Sequence, residues 1–230
     1  MPKILALDTS TDACSVALYN EGEITEDFRV IPRQHTQQLL PMTEALLAEA
    51  GLKVTELDAI AFGRGPGSFA GIRIATGVAQ GLAYAANLPV LPISTLKAMA
   101  LAAVQEGLPS GKQHVVSALD ARMNEIYVAA YEVNNGSLTA VLDETVCAPQ
   151  ALSLPDHQYF AIGSGFTYLK DMPESVQHSL CVTDNAVYPS AATMLHLALN
   201  DWDNGLAISP EQALPVYLRD DVAWKKKDQQ

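Results

Sequence analysis

Two aspartates open the chemical reading of this 230-residue sequence. Ala6-Leu7-Asp8 precedes Val16-Ala17-Leu18-Tyr19, and Ala118-Leu119-Asp120 precedes Val128-Ala129-Ala130-Tyr131. In both copies the Val lies eight residues beyond the Asp and the Tyr eleven, and the copies stand 112 residues apart, from position 8 to position 120. Such a repeat predicts one supersecondary unit used twice with the same internal geometry, each Asp just beyond a strand end. Two carboxylates facing each other across a cleft are able to hold a magnesium–phosphate complex. Each is also able simply to cap its own turn, Asp8 through Thr9-Ser10-Thr11 and Asp120 through Ala121-Arg122, and residue types alone favour capping.

Other candidate chemistry is thinner. Gly65-Pro66-Gly67-Ser68-Phe69-Ala70 fits a G-x-G-x-x-A dinucleotide loop. The region that should supply a ribose-binding carboxylate, Ala83 to Val90, holds no Asp or Glu. No Lys-Ser or Lys-Thr follows the glycines, so a P-loop fails too. Packing explains the segment better. Gly67, Gly71, Ala75 and Ala79 recur every four residues, and Gly77, Gly81 and Ala85 make a second row. Small residues at helical spacing admit a second backbone closely. One row can face the chain's own sheet while the other serves an external helix–helix contact. The five histidines include no pair at i, i+3 or i, i+4, so no single helix aims two imidazoles at one metal ion. G-x-S-x-G is absent as well, and His35 reads as a capping or interface residue.

These residues need a scaffold. Lys3 to Leu7, Ser15 to Tyr19 and Ile24 to Val30 read as three antiparallel strands, with a turn at Asn20-Glu21-Gly22-Glu23. A helix follows from His35 or Thr36, with Pro41 inside it and Gly51 ending it. Leu57 to Phe62 is a short strand, Gly63 to Ser68 a turn, and Phe69 to Ala86 a helix. Val90 to Ile93 is a strand and Ser94 to Gln105 a helix. Gly107-Leu108-Pro109-Ser110-Gly111 has linker composition and places a boundary between lobes 1–106 and 107–230, the C-terminal segment packing back toward the first. Strands at Val115 to Leu119, Tyr127 to Val133 and Tyr159 to Ile162, and a helix from Ala191 to Leu199, form the second lobe.

Composition sets the class. Apolar content of 49% with 17% charged residues is that of a core-forming globular protein. The net charge of −12 makes the bulk surface a poor partner for phosphate backbones. A local exception is Trp224-Lys225-Lys226-Lys227, either a frayed terminus or a contact for RNA or an acidic partner. Three scattered cysteines argue for reduced thiols in the cytoplasm. The start lacks a signal-peptide pattern, and no 18-residue apolar run predicts a membrane span.

Several segments together resemble the TsaB (YeaZ) family. They are Ile4 to Ser10, Cys14 to Leu18, Arg33-Gln34-His35-Thr36 with Leu40-Pro41, and Gly63 to Phe69 with Gly71-Ile72-Arg73. Pro92 to Leu96, Asp120-Ala121-Arg122 with Glu125-Ile126-Tyr127, and Tyr217-Leu218-Arg219 with Val222-Ala223-Trp224 extend the match over essentially the whole chain. The resemblance implies an actin-like ATPase fold of the sugar kinase, Hsp70 and actin type: α/β, with two similar lobes from a duplicated βββαβαβα unit, the second reduced. It implies a role in forming N6-threonylcarbamoyladenosine at position 37 of tRNAs reading ANN codons. The implied role is that of a required, non-catalytic partner of the larger paralogue TsaD, joined by the small ATPase TsaE.

The paralogue's H-x-x-x-H places fall on Thr95 and Met99, which cannot replace two imidazoles. No glycine turn follows Asp120. Asp8, Thr9, Ser10, Asp120, Gly163 and Gly165 are then vestigial nucleotide contacts, with no cofactor or metal of the chain's own and ATP or ADP only within the complex. The expected partner interface is His35, Leu39, Thr43, Leu46, Gly71, Ile74, Ala75, Val78 and Leu82 on two helices, which would also serve a homodimer when TsaD is absent. Contact with tRNA is expected to be indirect or weak, and Arg219 and Lys225 to Lys227 are the places to test it. The rival readings are an actin-like kinase or ATPase, and a glycopeptidase-like metallopeptidase.

Overall fold

The computed structural model describes residues 1–182 and 187–219. Strand β1 (Ile4–Asp8) is buried at every position, as a central strand covered on both faces must be. It pairs antiparallel with β2 (Ala13–Asn20) and parallel with β4 (Ala59–Gly65). Strand β3 (Glu23–Val30) and strand β5 (Val90–Ser94) complete a sheet of order β3-β2-β1-β4-β5. The β2–β3 turn falls where the sequence places it, with Glu21 and Gly22 at φ of 53° and 91°.

The period of two along β1 sorts its side chains. Leu5 and Leu7 face α1 (His35–Glu49) and α2 (Phe69–Ala86). Ile4 and Ala6 face α5 (Ala191–Asp203), across a surface kept shallow by Ala17, Ala59 and Ala61. Helix α5 is held at its start by Glu26, whose Oε1 accepts from Ser15 Oγ, Ser190 Oγ and the Ala192 amide at 2.6, 2.7 and 3.0 Å.

The second sheet repeats this plan. Its strands are β6 (His114–Arg122), β7 (Glu125–Asn134), β8 (Ser137–Cys147), β9 (Tyr159–Ile162) and β10 (Leu180–Val182). Their order, β10-β9-β6-β7-β8, is the first order with each strand replaced by its counterpart. Two α/β units of one topology make the actin-like fold. The second is reduced: between β8 and β9 stands only a short 3-10 turn, Pro149–Ala151, where the first unit has α1. Helix α4 (Glu174–Ser179) and Phe166 cover one face. The other face receives Leu96, Met99, Ala100 and Ala103 of α3 (Thr95–Glu106). Thus α3, from the chain's first half, packs on the second sheet, and α5, from its second half, packs on the first.

The repeat is less exact than its spacing. In the first unit Leu7 pairs Val16, whereas in the second Ala118 pairs Val128, so the registers differ by one residue. A one-residue slip turns a strand's side chains to the other face. The cause is the connection. Asp120 is not beyond its strand but inside β6, which runs on through a bulge to Arg122 and a tight turn. Strand β4 likewise continues through Gly63-Arg64-Gly65, which the sequence had suggested to be a turn.

Candidate functional site

Between the two sheets lies a cleft of about 1250 Å³, lined among others by Ser10, Asp12, Ser68, Arg73, Asp120, Ser164 and Tyr217. Asp8 is fully buried behind its wall. Asp8 Oδ2 accepts from the Ser10 amide and hydroxyl at 3.1 and 3.0 Å, the expected capped turn. Oδ1 has no partner and lies over Gly63, where a side chain would overlap it. Burial pushes the Asp8 carboxyl up to about 7, against the opposing pull of the Ser10 bonds. Asp120 is half-buried. Its Oδ1 accepts from the Arg122 amide at 2.8 Å, and Oδ2 pairs with Arg122 Nη1 at 3.1 Å.

An actin-like fold implies a nucleotide with a divalent cation in this cleft, and the residues present do not fit its phosphate cradle. The glycines are spent on internal contact. A Cβ on Gly67 would strike the Ser10 carbonyl, one on Gly71 the Thr9 carbonyl, and one on Gly163 or Gly165 the backbone or side chain of Ala118. Thr9 Oγ1 donates to the Gly71 carbonyl at 2.6 Å, and the Ser68 amide to the Ser10 carbonyl at 2.7 Å, closing the same gap. After Asp120, where a glycine turn would approach phosphate, Arg122, Met123 and Asn124 take positive φ with full side chains.

The expected interface set divides. His35, Leu39, Thr43, Leu46, Gly71 and Ala75 are buried inside the chain and offer no surface to a partner. His35 Nε2 lies 3.2 Å from the Ala13 carbonyl and ties α1 to β2; it caps no helix. The row from Gly67 to Ala79 faces the sheet, and Ile74, Val78 and Leu82 are half-buried beside it. The second row, Gly77, Gly81 and Ala85, faces outward with Tyr84 at 70% exposure, and on α1 Leu40 is 43% exposed.

Thr95 and Met99 are wholly buried in the core between α3 and the second sheet. Among the described residues no group of three His, Cys, Asp or Glu is placed to hold a metal ion. His114 and His157, far apart in sequence, stack at 4.0 Å with an interplanar angle of 9°, so their in-plane nitrogens do not converge. Arg219 is engaged internally: it pairs with Glu125 and donates to the Ala121 carbonyl at 3.1 Å. Lys225 to Lys227 lie outside the described residues.

Two features escaped the sequence reading. Arg73 stacks on Phe69, its i−4 neighbour, and its Nε donates to the Tyr217 hydroxyl at 2.7 Å; the i, i+4 aromatic–arginine spacing was the available signal. Glu144, in β8, reaches across to the first sheet. It pairs with Arg64 at 3.0 Å and accepts from Ser94 Oγ, the N-cap of α3. Glu144→Ala leaves Arg64 without its carboxylate and is expected to cost about 2 kcal/mol, read from urea unfolding. An unchanged midpoint would show the link to be idle.

Comparison with known proteins follows the same lines. A family model described as "TsaD: tRNA N6-adenosine threonylcarbamoyltransferase" matches residues 29–227. The chain is 41% identical to the tRNA threonylcarbamoyladenosine biosynthesis protein TsaB of Escherichia coli K12, covering 97% of each. It is 43% identical to that of Haemophilus influenzae, covering 97% of this chain and 96% of the other. The solved structure of YeaZ from Pseudomonas aeruginosa superposes with a TM-score of 0.87 at 44% identity, over 95% of this chain and all of that one.

Proposed function

Because this chain belongs to the TsaB family of tRNA threonylcarbamoyladenosine biosynthesis proteins, we propose that it acts there as a non-catalytic partner of the transferase TsaD. In this reading it supports formation of N6-threonylcarbamoyladenosine at position 37 of ANN-reading tRNAs, in the cytoplasm, within an assembly that TsaE joins. Any nucleotide belongs to that assembly. The observation that carries the reading is the outward face of α1 and α2. Gly77, Gly81 and Ala85 are exposed small residues on the same face of α2 as exposed Tyr84, and α1 exposes Leu40, a surface suited to equivalent helices. A homodimer through the same face is the expected state without TsaD.

The family model carries a transferase name, yet Thr95 and Met99 stand where the resemblance puts that enzyme's histidines. A hydroxyl and a thioether supply no such ligand pair. The peptidase reading requires a bound metal, and the kinase reading requires ATP turnover by the chain alone.

Reconstitution tests the proposal. Threonylcarbamoyl transfer with TsaD and TsaE should fail when this chain is omitted; undiminished transfer would remove the partner role. Gly81→Glu places a charge on this face, where a Cβ meets nothing within 4 Å, so the fold is spared. Affinity for TsaD should fall at least about tenfold, roughly 1.4 kcal/mol. Calorimetric titration with both chains folded reads the result.

A further inference from the structure

Arg73 is held at the cleft mouth in a fixed pose. Its guanidinium carbon lies 3.6 Å from the centroid of the Phe69 ring and 5.4 Å from that of Tyr217. With Nε bonded to the Tyr217 hydroxyl, the side chain is ordered by a segment 144 residues away in sequence. Among the described residues the terminal nitrogens Nη1 and Nη2 meet no carboxylate or carbonyl. The cleft's other two arginines are already paired, Arg122 with Asp120 and Arg219 with Glu125. Phe69 and Tyr217 remain 52% and 45% exposed.

We infer that Arg73, Phe69 and Tyr217 form a binding site for single-stranded RNA: the guanidinium edge, unpaired among the described residues, takes a backbone phosphate, and an exposed ring stacks a base. A planar fork of donors matches phosphate oxygens, and rings that already order the arginine lower the entropy lost on binding. Exposed aromatics interleaved with a cation are the platform on which unpaired bases stack. The net charge of −12, with Asp12 and Asp120 in the same cleft, weakens this without forbidding it: Asp120 is paired with Arg122, and carboxylates farther than about 8 Å are screened at physiological salt. Arg219, buried in its own contacts, is not the RNA ligand; Arg73 is. The choice of RNA among phosphate ligands rests on the tRNA-modification reading, and the site itself rests on the geometry.

The test uses the full chain without TsaD, so its failure and that of the docking reading stay separate. A labelled, unmodified anticodon stem–loop of an ANN-reading tRNA is titrated by fluorescence anisotropy at several salt concentrations, with AMP as competitor. Arg73→Met should weaken binding about tenfold and reduce the salt slope by about one. Arg73→Lys should fall between, keeping charge without the fork. Tyr217→Leu, which keeps the arginine, should lose several-fold. No RNA binding by the unaltered chain at low salt, or equal binding by Arg73→Met, overturns the inference. Displacement of RNA by equimolar AMP would assign the site to a free nucleotide and overturn the RNA reading.

Discussion

Between pH 4.5 and pH 8, Asp8→Asn is expected to gain about 3 kcal/mol of stability relative to the unaltered chain. Burial pushes the Asp8 carboxyl up to about 7 in the folded state, against about 3.8 for a solvated aspartate. Between these values the folded chain keeps a proton that the unfolded chain has lost. Its contribution is therefore full below pH 4, declines as pH rises, and is gone above about 7. The slope is about 1.4 kcal/mol per pH unit while only the folded form is protonated. An amide has no such titration, and its oxygen still accepts the Ser10 amide bond. Urea unfolding at the two pH values measures the gap. Parallel pH profiles for the two proteins would mean that Asp8 is solvated or ion-paired.

Glycines six residues apart on one helix should respond with opposite signs. Gly71→Ala drives a methyl into the Thr9 carbonyl, a backbone atom already tied to α2 through the Thr9 hydroxyl. The overlap has no flexible neighbour to absorb it, and a loss of about 3 kcal/mol follows, or about 9 °C in melting temperature. Gly77→Ala meets nothing within 4 Å. There the helix simply gains the better helix former, by about 1 kcal/mol. Thermal melts of the pair decide: equal shifts would show that the inner row does not touch the β1–β2 turn. A bulky charged residue at Gly71 or Ala75 is accordingly a poor probe of docking, since it damages the fold first.

Much of the fold was legible because it is local. The turn at Glu21-Gly22 and the bounds of α2 depend on neighbours within a few residues, and they stand where residue types put them. What the sequence obscured was orientation. Two rows of small residues on α2 look alike in composition, and only contact with Thr9 tells that the row through Gly71 is the inner one. The expected interface positions on α1 are buried for the same reason: His35, Leu39 and Leu46 mark the helix face that packs on the sheet. Strand β8 was missed because Asp143 and Glu144 interrupt its pattern, and bulges in its pairing with β7 break the alternation further. The Arg73–Tyr217 and Arg64–Glu144 contacts join distant segments, which no local spacing announces.

The exchange of α3 and α5 between the sheets also bears on how the protein is made. Translation delivers the five strands of the first sheet early, but one face of that sheet stays uncovered until α5 emerges. The Ala191 amide donates to Ser15 Oγ across 176 residues of chain. Through most of synthesis Ile4, Ala6, Ala61 and Ile93 present an apolar surface whose native cover, apart from Ala98 of α3, is still to come. Contacts of such separation slow folding, and exposed sheet faces invite association meanwhile. A nascent chain of this topology cannot finish its first half before its second, so one face of the first sheet stays open while every strand of the second is being made.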